Sequence, residues 1–238
     1  MKKILFVTGV DTGVGKTVLT AVLLACLRQS GVNALGMKPF CSGARDDAQL
    51  LLSLQEGRLT LDEVNPFYFD RPLTPAAASG RGRRGVSLEA ALEKIRALAG
   101  RCDFLLVEGV GGLLAPLGAD YTVRDLIRRL RCQVVVVCPN RLGVINHTLL
   151  TAEALQNAGI KEFTVVMMGV RQPDLSAISN ARIIQQWLPG RPVFCLPYLG
   201  FRASTPRAVK INVKYLQKTL ARFFGAANLI TFFRKRSG

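Results

Sequence analysis

The segment Gly9-Val10-Asp11-Thr12-Gly13-Val14-Gly15-Lys16-Thr17 carries the residue types needed to hold a polyphosphate. Its glycines allow successive backbone N–H groups to face one anion, Lys16 adds a mobile positive charge, and the Thr17 hydroxyl suits the oxygen shell of magnesium. The usual spacing, G-x-x-x-x-G-K-T, places a glycine at position 10. Here Val10 stands there, and Gly9 lies one place earlier. An ordinary glycine-rich turn is the bland alternative. The intact Gly15-Lys16-Thr17, between an apolar run and a helix-forming stretch, favours phosphate binding.

Two further charged groups could work with that loop. The apolar run Phe104 to Val107 ends in Glu108, followed by Gly109-Val110-Gly111-Gly112. A carboxylate at that strand end can reach a magnesium ion, and glycines around it suit close approach by a ligand; the alternative is a solvated charge. Lys38 follows the run Ala34 to Met37 and is placed to add a second positive charge at a phosphoryl transition state. Asp46 and Asp47 can cap the next helix, and one of them can also bind metal. His147 is the only histidine, which removes most Ser-His and Cys-His arrangements. The six cysteines have no C-x-x-C spacing and read as small core residues in a reducing compartment. Chemistry therefore falls to Lys, Asp, Glu, backbone amides and metal.

The elements that must position these groups alternate. Apolar runs at Ile4 to Val7, Ala34 to Met37, Phe104 to Val107, Val134 to Val137, Thr164 to Met168 and Val193 to Leu196 predict strands. Helical spacing marks Lys16 to Leu27, Asp46 to Leu54, Leu88 to Leu98, Val123 to Leu130, His147 to Ala158 and Ala177 to Trp187. Such alternation predicts an α/β fold of the P-loop NTPase type: a mostly parallel central sheet, helices on both faces, and ligands gathered where strands end. At 238 residues the chain holds one sizeable domain. Asp70 to Ser87, which includes Gly80-Arg81-Gly82-Arg83-Arg84-Gly85, reads as a surface loop.

Taken together, these pieces resemble the dethiobiotin synthetase family. The matching segments are Val7 to Thr17, Lys38-Pro39 with Ser42-Gly43, Asp47-Ala48, Asn65-Pro66, Val107 to Gly112 with Pro116-Leu117, and Leu142 to His147 with Leu150-Thr151. They run in family order over residues 1 to about 200, and the early Gly9 is itself the family's form. The resemblance implies conversion of 7,8-diaminopelargonic acid, carbon dioxide and ATP to dethiobiotin with magnesium, through a carbamate and a carbamic-phosphoric anhydride. It implies Lys16 and Lys38 as catalytic groups, Thr17, Asp47 and Glu108 as metal ligands, and Thr12 and Ser42 as contacts to diamine and carbamate. Gly13, Val14, Gly15, Lys16, Thr17, Val18, Asp47, Glu108, Gly109, Val110 and Gly111 would surround the nucleotide phosphates. Gly169, Val170, Pro197, Tyr198 and Leu199 would border the base.

Gly143, Val144, Ile145 and Asn146 precede a helical pattern, so their N–H groups can bind a carboxylate without a basic side chain, or simply begin a helix. The resemblance implies that this helix start reaches the substrate carboxylate of a second subunit, making the working form a homodimer. Three positions depart from the family. Gly169 stands where an adenine-reading Asn is usual, which leaves the choice among ATP, GTP and CTP open. Ala76 replaces a frequent histidine, and Cys195 a common glycine near the base.

The formal charge is +16, and Phe201 to Gly238 holds nine Lys and Arg residues with no acid. Val213 to Phe224 has an amphipathic helical pattern, followed by Leu229 to Phe233 and the basic Arg234-Lys235-Arg236. We expect this extension to be a last helix on the sheet, not a separate domain. Contact with an anionic membrane surface is the less favoured reading, and no nucleic-acid partner is expected. The mean hydropathy is +0.25, yet no run approaches a spanning length. Met1-Lys2-Lys3 passes directly into the first strand, so a cytoplasmic location is expected. Two other classes share parts of this pattern. A P-loop switch ATPase would need neither Lys38 nor Ser42 and would carry Lys at position 11. A corrinoid amidotransferase-type ligase would need an added glutamine-hydrolysing domain.

Overall fold

The computed structural model describes residues 3–78 and 85–226. The arginines at 81, 83 and 84 of the loop and the basic stretch after 226 lie outside the described residues. Eight strands are formed among those residues: β1 Lys3–Gly9, β2 Ala34–Met37, β3 Phe40–Ser42, β4 Phe67–Phe69, β5 Phe104–Glu108, β6 Gln133–Pro139, β7 Phe163–Met168 and β8 Val193–Leu196. The helices are α1 Lys16–Gln29, α2 Asp46–Ser53, α3 Leu61–Val64, α4 Pro75–Ala78, α5 Leu88–Ala99, α6 Val123–Leu130, α7 Val144–Asn157, α8 Asn180–Trp187, α9 Pro206–Tyr215 and α10 Gln217–Ala226, with a 3₁₀ turn at Leu175–Ile178.

Six strands form one sheet in the order β2-β5-β1-β6-β7-β8, every pairing parallel. All residues of β2, β5 and β7 are buried. Strands buried along their whole length need cover on both faces, which explains their continuous apolar runs in place of alternation. The chain leaves β1 toward β2 and β5 on one side, then continues to β6, β7 and β8 on the other. Strand order thus reverses about β1, and such a reversal opens a crevice at the strands' carboxyl ends. Register places Val7 opposite Glu108 and Gly9 opposite Val137, so the glycine loop and Glu108 emerge side by side.

Local sequence explains several helix starts. Thr60 and Glu63 form a reciprocal capping box before α3, and before α6 Thr122 donates its N–H and its hydroxyl to Asp125 Oδ2. Ser87 and Thr205 cap α5 and α9 by accepting from backbone N–H groups three residues on. Helices α1 and α7 have no side-chain cap.

Some boundaries differ from the sequence expectation. Helix α7 begins at Val144, not His147, because Gly143 adopts φ 88° and starts the turn there. The span expected as one helix from Ala177 divides into the 3₁₀ turn, capped by Asp174, and α8. The pair β3 and β4 forms a small parallel sheet that no alternation announced, and α4 lies within the expected loop. Cys195 is exposed on the edge strand β8, unlike the buried Cys41, Cys102 and Cys138. The extension begins as two helices meeting at Leu216, with Leu220, Phe223 and Phe224 buried. Phe223 packs edge-on against Phe194 of β8. Among the described residues no helix is long and apolar enough to cross a membrane.

Candidate active site

The loop between β1 and α1 is shaped by glycines at two points of need. Gly13 and Gly15 have φ of 72° and 100°, where a side chain would be strained. A Cβ on Gly15 would also lie 3.0 Å from Met168 Cγ, so the end of β7 presses on this loop. The second glycine cluster closes the other side. A Cβ on Gly112 would stand 3.2 Å from the Val10 carbonyl oxygen, and one on Gly109 3.0 Å from the Phe6 ring.

Charged groups are buried at this junction. Lys16 is 6% exposed and its Nζ donates to the carbonyl oxygens of Asp11 and Gly111, both at 2.7 Å. Burial and the nearby Lys38 lower its pKa to about 8, against the pull of Glu108, Asp47 and Asp11. The Lys38 Nζ is 2.6 Å from Glu108 Oε1 and 2.8 Å from Asp47 Oδ2. Burial disfavours the Lys38 ammonium, but the two carboxylates outweigh it and raise the pKa above the ordinary lysine value. Burial likewise disfavours the Asp47 carboxylate, and Lys38 with Thr17 overcomes it, lowering that pKa. Thr17 Oγ1 donates to the same Glu108 Oε1 at 2.6 Å.

The structure therefore brings Lys16, Thr17, Lys38, Asp47 and Glu108 together, as their positions after successive strands suggested. Asp46 is exposed, which leaves Asp47 as the inward aspartate. The donor set of one hydroxyl and two carboxylates is all oxygen, and the buried Glu108 Oε2 has no hydrogen-bond partner. Those features fit a hard divalent cation. Thr12 is exposed beside Gly111, Val14 is buried and Val18 half-buried. The Ser42 Oγ is buried without a partner at the end of β3.

Other candidates lie at the far end of β7 and on α7. The Gly169 N–H donates to the Leu196 carbonyl, and a Cβ there would be 2.5 Å from Tyr198 N and 2.7 Å from the Pro197 carbonyl carbon. This backbone contact explains the absence of a larger residue at 169. Met168 against Gly15 and Gly169 against Pro197-Tyr198 tie the glycine loop to the stretch Pro197 to Leu199, with Val170 half-buried beside it. By contrast, Gly143 and Asn146 are exposed, Val144 is buried and Ile145 half-buried, and no hydrogen bond joins this helix start to the loop among the described residues.

In the sequence Asn65 stands out only as part of a segment that matches the family. It is 1% exposed, and its Nδ2 donates to the carbonyls of Lys38 and Pro39 at 3.0 and 3.2 Å, while Arg45 Nε donates to its Oδ1. It pins the backbone from which Lys38 extends. Its signal would have been the Asn-Pro pair at a strand start, a weak one. Burial pushes Cys41 up to about 11 and Cys138 up to about 12, so neither supplies a thiolate near neutral pH.

The chain is similar to known proteins over most of its length. A family model described as an AAA domain matches residues 3–201. The ATP-dependent dethiobiotin synthetase BioD of Bacillus licheniformis is 37% identical over 220 residues, covering 90% of this chain and 91% of that protein. Its counterpart in Anaeromyxobacter dehalogenans is 41% identical over 210 residues, covering 86% and 94%. Among solved structures, the MinC:MinD cell division complex of Aquifex aeolicus aligns with TM-score 0.60 and 14% identity, covering 94% of this chain and 96% of that one. The septum site-determining protein MinD of Pyrococcus horikoshii, complexed with Mg-ADP, gives 0.57 and 18%, covering 98% of both. These two likenesses speak for the fold. With a parallel sheet reversing at β1, a glycine loop ending in Lys16-Thr17 and relatives matched over nearly their full length, the chain belongs to the ATP-dependent dethiobiotin synthetase family.

Proposed function

We propose that this ligase converts 7,8-diaminopelargonic acid, carbon dioxide and ATP to dethiobiotin, ADP and phosphate. One amine of the diamine adds to carbon dioxide and loses a proton, giving a carbamate. A carbamate oxygen attacks the γ-phosphorus and releases ADP, forming a carbamic-phosphoric anhydride. The second amine attacks the carbonyl carbon and expels phosphate, closing the ureido ring.

The observation that carries this reading is the pair of buried lysines, Lys16 and Lys38, at one strand-end junction. Carbamate and γ-phosphate are both anionic and repel each other, and two ammonium groups on neighbouring elements offset that repulsion without proton transfer. Lys16 exchanges its two carbonyl partners for phosphate oxygens, and loop N–H groups take the remaining anionic charge. Thr17, Asp47 and Glu108 would hold magnesium, which supplies charge neutralisation at the phosphates when bound. Thr12 and Ser42 position the diamine and carbamate; the buried, unpartnered Ser42 Oγ supports that role.

For the base, Gly169, Val170, Pro197, Tyr198 and Leu199 offer backbone and apolar surface. With no side chain at 169, we propose loose selectivity, with GTP and CTP accepted alongside ATP. For the substrate carboxylate, the uncapped start of α7 at Gly143 to Asn146 acts across a homodimer. The exposed Leu142 and Leu150 beside it, with Leu175 and Ile178, supply an apolar surface suited to a second subunit. Residues 201–226 of the extension pack on the main domain, and the protein works in the cytoplasm.

The test supplies diaminopelargonate, bicarbonate, magnesium and each nucleoside triphosphate in turn, with dethiobiotin followed by mass. Product with ATP is expected. No product with any nucleotide would sink the assignment.

A further inference from the structure

The Lys38 ammonium stands where three oxygen-bearing side chains converge. It is bonded to Glu108 and Asp47, and Glu108 Oε1 also accepts from Thr17. One carboxylate oxygen thus serves both Lys38 and Thr17, and of these only Thr17 would share a metal ion with Glu108. Lys38 is 7% exposed in its side chain, Glu108 0% and Asp47 45%. Of these three charged groups, Asp47 is the one open to solvent.

A magnesium ion sits at about 2.1 Å from each ligand oxygen and demands near-octahedral directions. An ammonium 2.6 Å from Glu108 Oε1 and 2.8 Å from Asp47 Oδ2 occupies the space between those carboxylates. It is also a like charge to the ion. The two cations therefore compete for the same oxygens. The backbone of Lys38 cannot yield, because its N–H donates to the Val64 carbonyl and its carbonyl accepts from Asn65. Only the four-carbon stem is free to turn.

We propose that Lys38 is the internal counter-cation of the Thr17–Asp47–Glu108 cluster, and that a divalent ion displaces it. Metal binding then has a second effect: it sends the ammonium out of the cluster, where it can meet the reacting anions. The catalytic lysine is withheld until metal arrives. This rests on the reading of Thr17, Asp47 and Glu108 as metal ligands given above.

The experiment measures Mn²⁺ binding by paramagnetic resonance on the full chain, with and without ATP, in the wild type, Lys38→Met and Glu108→Gln. Lys38→Met is expected to bind Mn²⁺ without nucleotide at least about tenfold more tightly than the wild type. Equal affinity of the two, with the wild type binding Mn²⁺ when ATP is present, would overturn the exchange and leave the metal site standing. Mn²⁺ binding with ATP that is unchanged in Glu108→Gln would instead overturn the metal-site reading. Should Lys38→Met fail to fold, the wild type gives the answer alone. Its Lys38 Nζ resonance, the signal lost in Lys38→Arg, is expected to move when Mg²⁺ is added with ATP, and an unmoved resonance in the loaded protein would refute displacement.

Discussion

Helices α1 and α7 begin alike. Each has 14 residues, follows a glycine with positive φ, carries no acid in its first turn and lacks a side-chain cap. Both therefore present first-turn N–H groups without a side-chain acceptor and the positive end of a helix dipole, although at α7 the Val144 N–H turns back to the Arg141 carbonyl. Their surroundings differ. At α1, Met168 closes over Gly15, Lys16 is buried, and Thr17 is bonded to Glu108 from a neighbouring strand. At α7, nothing lies within 4 Å of a Cβ built on Gly143, and Leu142 is 79% exposed. The start of α1 is walled within the chain. The other has the same backbone device but none of the walls, which suits our proposal that a second subunit supplies them.

The largest expected effect lies at the finished end. Lys38→Ala should reduce turnover roughly a thousandfold, in the range seen when one preorganised electrostatic donor is lost. Nucleotide binding should persist, because the glycine loop and Lys16 remain. The variant should also unfold more easily by about 3 kcal/mol, since the buried Glu108 loses its ion-pair partner. Turnover near that of the wild type would remove Lys38 from the mechanism and leave α1 a plain phosphate site.

Next in size is the pH response of Lys16. Its pKa falls from 10.5 in the unfolded chain to about 8 in the folded one. Between those values the unfolded chain binds more protons, so stability rises with pH. The penalty for burying the charged form is fully present below pH 8 and is relieved as pH climbs toward 10.5. The change is of the order of 3 kcal/mol. Chemical denaturation of the ligand-free protein across that window should show a rise that Lys16→Met lacks. Parallel profiles would mean that the α1 end is wetter than its geometry implies. The α7 start has no lysine and contributes no such rise.

Why α1 was readable and α7 only partly so follows from what each needs. The glycine loop, Lys16-Thr17 and Glu108 sit in short contiguous segments at strand ends, and strand alternation alone brings them to one edge of the sheet. The register of Val7 with Glu108 then follows from β1 lying beside β5. Contacts that depend on backbone direction were not readable. Lys16 bonds the carbonyl of Gly111, 95 positions away, and Asn65 clamps the Lys38 carbonyl from 27 positions away. Neither has a periodic signature. Apolar spacing puts the start of α7 at His147, three residues after Val144, because it does not register a glycine turn. Strands β3 and β4, at three residues each, are too short for alternation to show. At position 169 the family likeness marked a missing Asn, but only the close approach of the Pro197-Tyr198 backbone gives the reason.

A matched pair of substitutions tests the walls directly. Gly15→Ala meets both an unfavourable φ of 100° and the Met168 side chain, and should cost about 2 kcal/mol or more. Gly143→Ala meets the backbone strain alone, at φ 88° in open space, and should cost about 1 kcal/mol. Thermal melts of the two variants rank them. Nucleotide affinity should fall only in the first and the KM for diamine rise only in the second. Equal behaviour would erase the distinction between the two helix starts.

The smallest effect belongs to the surface around α7. Leu142 precedes Gly143, and its N–H is held by the Asp174 carboxylate, so the backbone is fixed while the side chain projects outward. Leu142→Asp places a charge on the proposed subunit contact without touching the loop of α1. Sedimentation should show a weakened dimer. The KM for diaminopelargonate should rise by about tenfold, equivalent to roughly 1.4 kcal/mol, with the KM for ATP unchanged. This split is informative because the two substrates would depend on different helix starts, one built within the chain and one shared between chains. A variant that sediments as a monomer yet keeps the wild-type KM for diamine would show that α7 begins as an ordinary helix. It would also return the substrate carboxylate to a site within one subunit.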